Sequence, residues 1–404
     1  MNRRACLAFA AATLVLAPSA VFAQREIVIT RITGKSSISV SGLTGGGSVE
    51  ERNLAQVLSN DLNLSGHFVV APSPAEFEIK GRTASNGSAL QADVEVLSRT
   101  GAVVFSQRFS GAANQSRALA HQINDAIVEK IKEKPGIATT RLVFIGKRSG
   151  SKEVYLSDYD GENLRAATSD RSISESPQWF PNGQEIVYTS FLKGNAQLIR
   201  MNASTGARSQ LSSRPGINIG GAVSPDGRRV ASVLSFEGRP EVYVQDIASK
   251  RVTRITTTKM ASKASPSWSP DGQKLVFVSE HTGKPNLFIA SAGGGQPTQL
   301  TTGMENVGPD WGPNGWIAYS SRVGGKYSIR LINPTNPRDM RVVSPADADY
   351  EDPSWARDGR HIVCKRTSGY KSTLVMLDIE AGANEKPYVI TRSAGDWMSP
   401  DWTN

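Results

Sequence analysis

The amino-acid sequence predicts a mainly β protein in which a small α/β domain precedes a six-bladed β-propeller. Three observations carry this expectation. A tryptophan-and-turn motif recurs at nearly constant spacing, short alternating strands fill the intervals, and a sixth copy of the motif breaks off while unmatched strands stand at the other end of the repeat region.

The repeat reads Ser176-Pro177-Gln178-Trp179 with Pro181-Asn182-Gly183, then Gly221-Ala222-Val223 with Pro225-Asp226-Gly227. It continues as Ser265-Pro266-Ser267-Trp268 with Pro270-Asp271-Gly272, Gly308-Pro309-Asp310-Trp311 with Pro313-Asn314-Gly315, and Asp352-Pro353-Ser354-Trp355 with Arg357-Asp358-Gly359. The turn glycines lie 44, 45, 43 and 44 residues apart, which matches the length of a four-stranded propeller blade. Each Pro-Asp-Gly or Pro-Asn-Gly hairpin is followed by an alternating strand such as Lys274–Ser279, then a second such as Asn286–Ala290. The Trp leads the innermost strand, where a large ring can pack between neighbouring blades, and blade 2 has Val223 in its place. The sixth motif, Ser399-Pro400-Asp401-Trp402, has no hairpin after it. Its missing strands are predicted at Arg141–Ile145, Glu153–Leu156 and Leu164–Thr168, so the last blade is closed by strands from both ends of the repeat region, leaving no ring edge unpaired.

Ahead of the repeats, residues 24–136 read as an α/β domain. Strands are expected at Ile27–Ile32 and Ile38–Val40, followed by a glycine-rich turn from Gly42 to Gly47. Ser48 with Glu51 three residues on forms a capping box, and Leu54, Val57, Leu58 and Leu62 repeat at helical spacing behind it. Phe68–Val70, Phe77–Lys80, Leu90–Leu97 and Val103–Phe109 have strand character, with hairpin turns at Asn86-Gly87 and Arg99-Thr100-Gly101. A second helix carrying Leu119, Ile123, Ile127 and Ile131 ends at Lys134-Pro135-Gly136, the expected boundary, which assigns residues 137–404 to the propeller.

Residues 1–23 have the form of a secretory signal: Arg3 and Arg4, an apolar run from Cys6 to Ala17, and small residues up to Ala23. That run is shorter than the roughly 18 apolar residues of a membrane span, so no membrane insertion is expected. Removing the signal lowers the net charge from +9 to +7 and leaves Cys364 without a partner, to be read as a small buried strand residue. The remaining cations are scattered rather than interleaved with aromatics, which suits solvated faces or an acidic partner and argues against nucleic acid.

Catalytic signatures are sparse. His67, His121, His281 and His361 show no zinc-binding spacing, no Gly-x-Ser-x-Gly elbow occurs, and Gly34-Lys35-Ser36 lacks the glycine five places earlier that a phosphate loop requires. Asp347, Asp349, Glu351 and Asp358 imitate the first, third, fifth and twelfth positions of a calcium loop, but Asp352 replaces the glycine at the sixth. No cofactor or metal is assigned.

The layout of signal, small α/β domain and six-unit propeller resembles the TolB family, the periplasmic component of the Tol-Pal system. So do Ser157-Asp158-Tyr159-Asp160-Gly161 just after the domain boundary and the last motif ending at Trp402. The resemblance implies a monomeric, non-catalytic periplasmic adaptor that supports envelope integrity and cell division. It further implies that the first mature residues, Gln24-Arg25-Glu26-Ile27-Val28-Ile29-Thr30, are captured by TolA. Their apolar alternation suits addition to a partner's sheet edge and an ordinary first strand equally.

By the same resemblance, Pal, the peptidoglycan-associated lipoprotein, docks on one propeller face, with other outer-membrane lipoproteins as further partners. The face would be built from segments just ahead of each inner strand, namely 173–175, 217–219, 263–265, 305–307, 349–351 and 396–398. Within them Glu175, Asn218, Lys263, Ala264, Glu305, Asn306, Tyr350, Glu351 and Trp397 are the expected contacts, with Tyr350 and Trp397 as aromatic anchors. Two competing readings remain: an exported propeller hydrolase or lyase using channel carboxylates or a bound calcium ion, and a glycan-binding module stacking sugars on Trp397 and Tyr350.

Overall fold

Local signals decide the first elements of the computed structural model, which describes residues 34–45, 47–257, 263–393 and 395–403. The signal segment, the expected strand at 27–32 and the peptide Gln24–Thr30 lie outside the described residues. Helix α1 (Val49–Leu64) follows β1 (Ser36–Gly45) and opens with the capping box: Glu51 N donates to Ser48 Oγ at 3.2 Å, and Ser48 N to Glu51 Oε2 at 3.0 Å. Next come β2 (Phe68–Val70), β3 (Phe77–Ser85), β4 (Ala89–Ser98), β5 (Val103–Ala112) and helix α2 (Ser116–Lys132), which Glu133 ends in a left-handed conformation. The sheet order is β2-β1-β3-β4-β5, with β1 parallel to both neighbours. Leu54, Leu58 and Leu62 of α1 and Ile123 and Ile127 of α2 share one core with Ile79, Val94 and Val96.

One expectation fails here. Gly42 to Gly45 are not a turn but the second half of β1, past a bulge. The glycines answer to close packing instead: a Cβ on Gly42 would sit 2.6 Å from the Ile79 carbonyl oxygen, and one on Gly45 would sit 2.1 Å from Thr83 Oγ1.

The repeats form six four-stranded antiparallel sheets among the described residues. The inner strands are Ser174–Trp179, Asn218–Val223, Lys263–Trp268, Glu305–Trp311, Asp349–Trp355 and Trp397–Trp402. The last pairs antiparallel with Arg141–Gly146, so blade 6 is completed from the front of the repeat region as the truncated motif predicts. Outer strands are as short as two residues, and a hydroxyl fastens several of them. Thr168, Thr256, Thr301, Ser344 and Thr391 each accept a backbone N–H of the third strand at 2.8–3.0 Å.

Residues 34–404 cluster as one compact unit, in which the α/β part meets the hairpin end of blades 5 and 6. Asp61 of α1, nearly inaccessible, accepts from Tyr159 Oη at 2.7 Å and lies 2.7 Å from His121 Nδ1 on α2. Arg117 of α2 pairs with Asp158 at 3.0 Å and also with Asp160. Asp125 accepts the backbone N–H groups of Ala138 and Thr139 at 2.8 and 3.0 Å, and Arg357 reaches both Asp125 (3.1 Å) and the Gly136 carbonyl (2.7 Å). These contacts lie at the ends of the inner strands that carry the Trp residues.

Candidate functional site, the open mouth of the propeller

A β-strand alternates its side chains between two faces, so the inner strands should offer every second residue to the channel. All six add a device to this. The residue three places before the Trp, or before Val223 in blade 2, namely Ser176, Gly220, Ser265, Gly308, Asp352 or Ser399, has φ between 48° and 67°, and the ladder to the second strand shifts register at that point. Such a left-handed bulge re-aims the residues on either side of it.

The residue two places ahead of the bulge is turned inward. Ser174, Asn218, Lys263, Asn306, Tyr350 and Trp397 occupy this place, and all are buried. Asn218 Nδ2 donates to the Arg214 carbonyl at 2.7 Å, and Asn306 Nδ2 to Asn286 Oδ1 at 2.9 Å. Lys263 Nζ stands 3.9 Å from Glu241. Tyr350 Oη donates to Asp347 at 2.8 Å and accepts from Arg366 Nε at 3.1 Å. Trp397 packs edge-on against Phe144 and Tyr155, with ring centroids 5.5 and 5.1 Å away.

The expectation of Tyr350 and Trp397 as exposed anchors is therefore corrected. Both rings are 0% exposed and belong to the core between blades. A sugar-stacking role for them falls with it, because neither ring face meets solvent.

Of the other expected residues, Asn218, Lys263 and Asn306 are likewise turned inward, whereas Glu175, Glu305 and Glu351 reach the mouth. Glu175 is half exposed and pairs with Lys152 at 2.7 Å; Glu351 pairs with Lys365 at 2.9 Å. Glu305 accepts from Tyr327 Oη at 2.9 Å and from Arg322 at 3.3 Å, which holds its carboxyl below the usual range. Ala264 is half-buried against the core shared by blades 3 and 4. All nine expected residues stand at the start of inner strands, so the fold brings them to one end of the ring, but only part of the set is available to a partner.

Below this mouth a cavity of about 210 Å³ leads into the channel, and a second of about 290 Å³ opens at the tryptophan end. Asp310, Ser354 and Asp401 line both and form the waist. Asp310 accepts from Ser267 Oγ at 3.0 Å and Trp355 N at 2.8 Å; Asp401 accepts from Trp179 N at 2.7 Å and Ser354 Oγ at 3.4 Å. Burial raises both carboxyls, most strongly Asp401, which Asp310 raises further. These waist residues were missed from sequence, although the place just before each Trp, repeated in every blade, is the signal that marks them.

The imitated calcium loop does not assemble. Asp347 lies at the open mouth, bonded to Arg366 at 2.6 Å, whereas Asp358 lies at the other end of the strand, 2.6 Å from His361. No cluster of three or more potential metal ligands occurs among the described residues. Cys364 is fully buried, and burial pushes its thiol well up. Among the described residues no helix is long and apolar enough to cross a membrane.

Comparison with known proteins agrees with this architecture. A protein called TolB homolog from Chlorobium chlorochromatii is 29% identical over 277 residues, 61% of this chain and 62% of that protein. The Tol-Pal system protein TolB of Legionella pneumophila is 31% identical over 205 residues, 45% of this chain and 49% of its own. The chain thus spans about three-fifths and one-half of these relatives' lengths. In structure it resembles the crystal structure of TolB from Acinetobacter baumannii, with a TM-score of 0.79 at 20% identity over 91% of this chain and 96% of that one. The family model described as TolB beta propeller domain matches residues 128–404, the whole ring with its shared sixth blade, and the chain therefore belongs to the TolB β-propeller family.

Proposed function

We propose that this chain is a periplasmic adaptor of the Tol-Pal system. Its propeller takes the lipoprotein Pal at the open mouth, and residues 24–30 offer a strand to TolA. The observation that carries this reading is the separation of the two ends of the ring. The α/β part occupies the hairpin end through Arg117, His121 and Arg357, which leaves the mouth at the inner-strand starts to a partner. Arg357 follows closely on the inner strand Asp349–Trp355, whose other end lies at the mouth, so a partner at one end can bias the other. By linkage, any change that Pal binding makes in TolA affinity must be returned by TolA in Pal affinity by the same factor.

The adaptor reading is non-catalytic. The waist carboxylates are engaged by backbone N–H groups and serines, as expected of residues that stitch blades together. Support of outer-membrane integrity and division is part of the same proposal.

Calorimetric titration of residues 24–404 with the periplasmic domain of Pal from the same organism tests the first half. Saturable one-to-one binding is expected, and absence of heat at any concentration overturns it. Deleting residues 24–30 should abolish TolA binding and leave Pal binding measurable. TolA binding that survives the deletion refutes the peptide assignment.

A further inference from the structure

A sheet edge presents unpaired backbone to any other strand, and most edges of this chain are blunted. The outer strands of the blades are two to five residues long except Asn336–Val342, which carries Pro337 and a register shift against its neighbour. In the α/β sheet, β2 forms one edge with three residues. The other edge is β5, ten residues from Val103 to Ala112 without a proline. Its one register shift lies at the start, between Val103 and Phe105. β5 packs against β4 and α2, and Val103, Ser106, Gln107, Arg108 and Ser110 along it are exposed.

The ladder to β4 fixes which groups of this edge are free. Phe109 lies opposite Ala92 and Gly111 opposite Leu90, and Ala113 N continues the pattern by donating to the Ser88 carbonyl at 3.0 Å. The odd-numbered residues therefore bond β4, which turns the N–H and C=O groups of Ser106, Arg108 and Ser110 away from the sheet. Side chains alternate as well. Phe105 and Phe109 stack with ring centroids 6.4 Å apart in the core beneath the helices, and Ser106, Arg108 and Ser110 occupy the opposite face. Arg108 is the one charged residue of β5, and its Nη2 already donates to Asp93 Oδ2 on β4 at 3.2 Å. The edge thus has no spare charge with which to select a charged partner.

We propose that β5 is the contact of a two-fold dimer, in which a second copy of this chain adds its own β5 antiparallel and joins the two α/β sheets into one. Such a contact is isologous, so one strand supplies both halves of it. Charge selects the register. With the axis at Arg108, two guanidinium groups stand opposite each other. With the axis at Gln107 the overlap is as long, Arg108 faces Ser106 of the second copy, and no like charges are opposed. Phe105 then stands opposite Phe109 of the second copy, so the aromatic rows of the two cores meet across the join. A dimer departs from the monomer that the family resemblance implies. It is independent of the Pal reading, because β5 belongs to the α/β part and not to the mouth.

The test is sedimentation of residues 24–404 over rising concentration, where the wild type should pass from monomer to dimer. Ser106→Pro and Ser110→Pro each remove an N–H that points away from β4, two bonds in every dimer, and should weaken dimerisation by about tenfold or more. Ser106→Ala keeps that N–H and should stay within about twofold of the wild type. Gln107→Cys should form an intermolecular disulfide under mild oxidation, because facing residues at the axis bring their Cβ atoms close enough to bridge. Gln91→Cys, exposed on β4 and one strand in from the edge, should not. The native Cys364 is buried and does not compete. Melting curves check that each variant folds.

A wild type that stays monomeric at every concentration overturns the proposal. So does a dimer that both folded proline variants retain, which would place the interface elsewhere. A dimer lost on deleting residues 24–30 would make that segment the added strand and overturn it as well.

Discussion

Trp397 shows how a side chain's role depends on its place relative to the bulge. Its ring fills the space above Phe144 and Tyr155, and Gly146 opposite leaves that space open: a Cβ there would stand 2.4 Å from the ring. Its indole N–H donates to the Ser393 carbonyl at 3.2 Å. Trp397→Ala should therefore destabilise the fold by about 3–5 kcal/mol, as loss of a buried aromatic does. Trp397→Phe should cost less and leave Pal affinity within about twofold. Denaturant unfolding together with the Pal titration checks both, and a large affinity loss in a stable Trp397→Phe protein would return the ring to the interface. Gln178, Ala222, Ser267, Asp310, Ser354 and Asp401 share one position of the repeat, yet alternation alone leaves open which of them bond across the waist.

At the scale of the element, the recurring device is the left-handed residue in each inner strand. Glycine meets this demand in blades 2 and 4, while Ser176, Ser265, Asp352 and Ser399 meet it elsewhere at φ of 48° to 52°. An L-residue there is strained by about 1–2 kcal/mol. Ser265→Gly should thus be neutral or stabilising by up to about 1 kcal/mol, whereas Ser265→Val should destabilise by about 2 kcal/mol or more. Urea midpoints of the two variants decide, and equal midpoints would show that the bulge relaxes without strain. The existence of each element was legible from periodicity, turn residues and the capping box. The extension of β1 through Gly42–Gly45 was not, because glycines forced by a neighbouring strand look the same in sequence as glycines required by a turn.

Across the whole molecule, the join between the α/β part and the ring turns on one imidazole. His121 of α2 faces Asp61 of α1, Arg117 of its own helix, and Asp158, Tyr159 and Asp160 of the blade 6 turn. Burial opposes its charge, but Asp158 and Asp61 overcome this and raise it from 6.5 to about 9. Because the folded value is the higher one, its stabilising contribution is complete below about pH 6.5 and fades as pH rises through about 9. Wild-type stability should fall between pH 7 and 10 by about 3 kcal/mol at most through this group. His121→Gln should be less stable at neutral pH and flatter over that window. Parallel pH profiles for the two proteins would remove the imidazolium from the account of the join.

What the sequence by itself determined is the repeat: blade count, the shared sixth blade, the hairpins, and the helices of the first part. All of these rest on interactions within about 45 residues or on a period that the chain displays openly. Only the tertiary structure decided which mouth the described residues leave open, because the contacts of Arg117 and His121 with Asp158 and Tyr159, and of Asp125 with Arg357 232 residues away, belong to no repeating pattern in the chain. It also decided that Tyr350 and Trp397 are core while Ile173, Leu192 and Ile217 are surface. The physical reason is the bulge. One left-handed residue shifts the ladder by a place and exchanges inward for outward, and for a serine or an aspartate no local pattern announces that conformation.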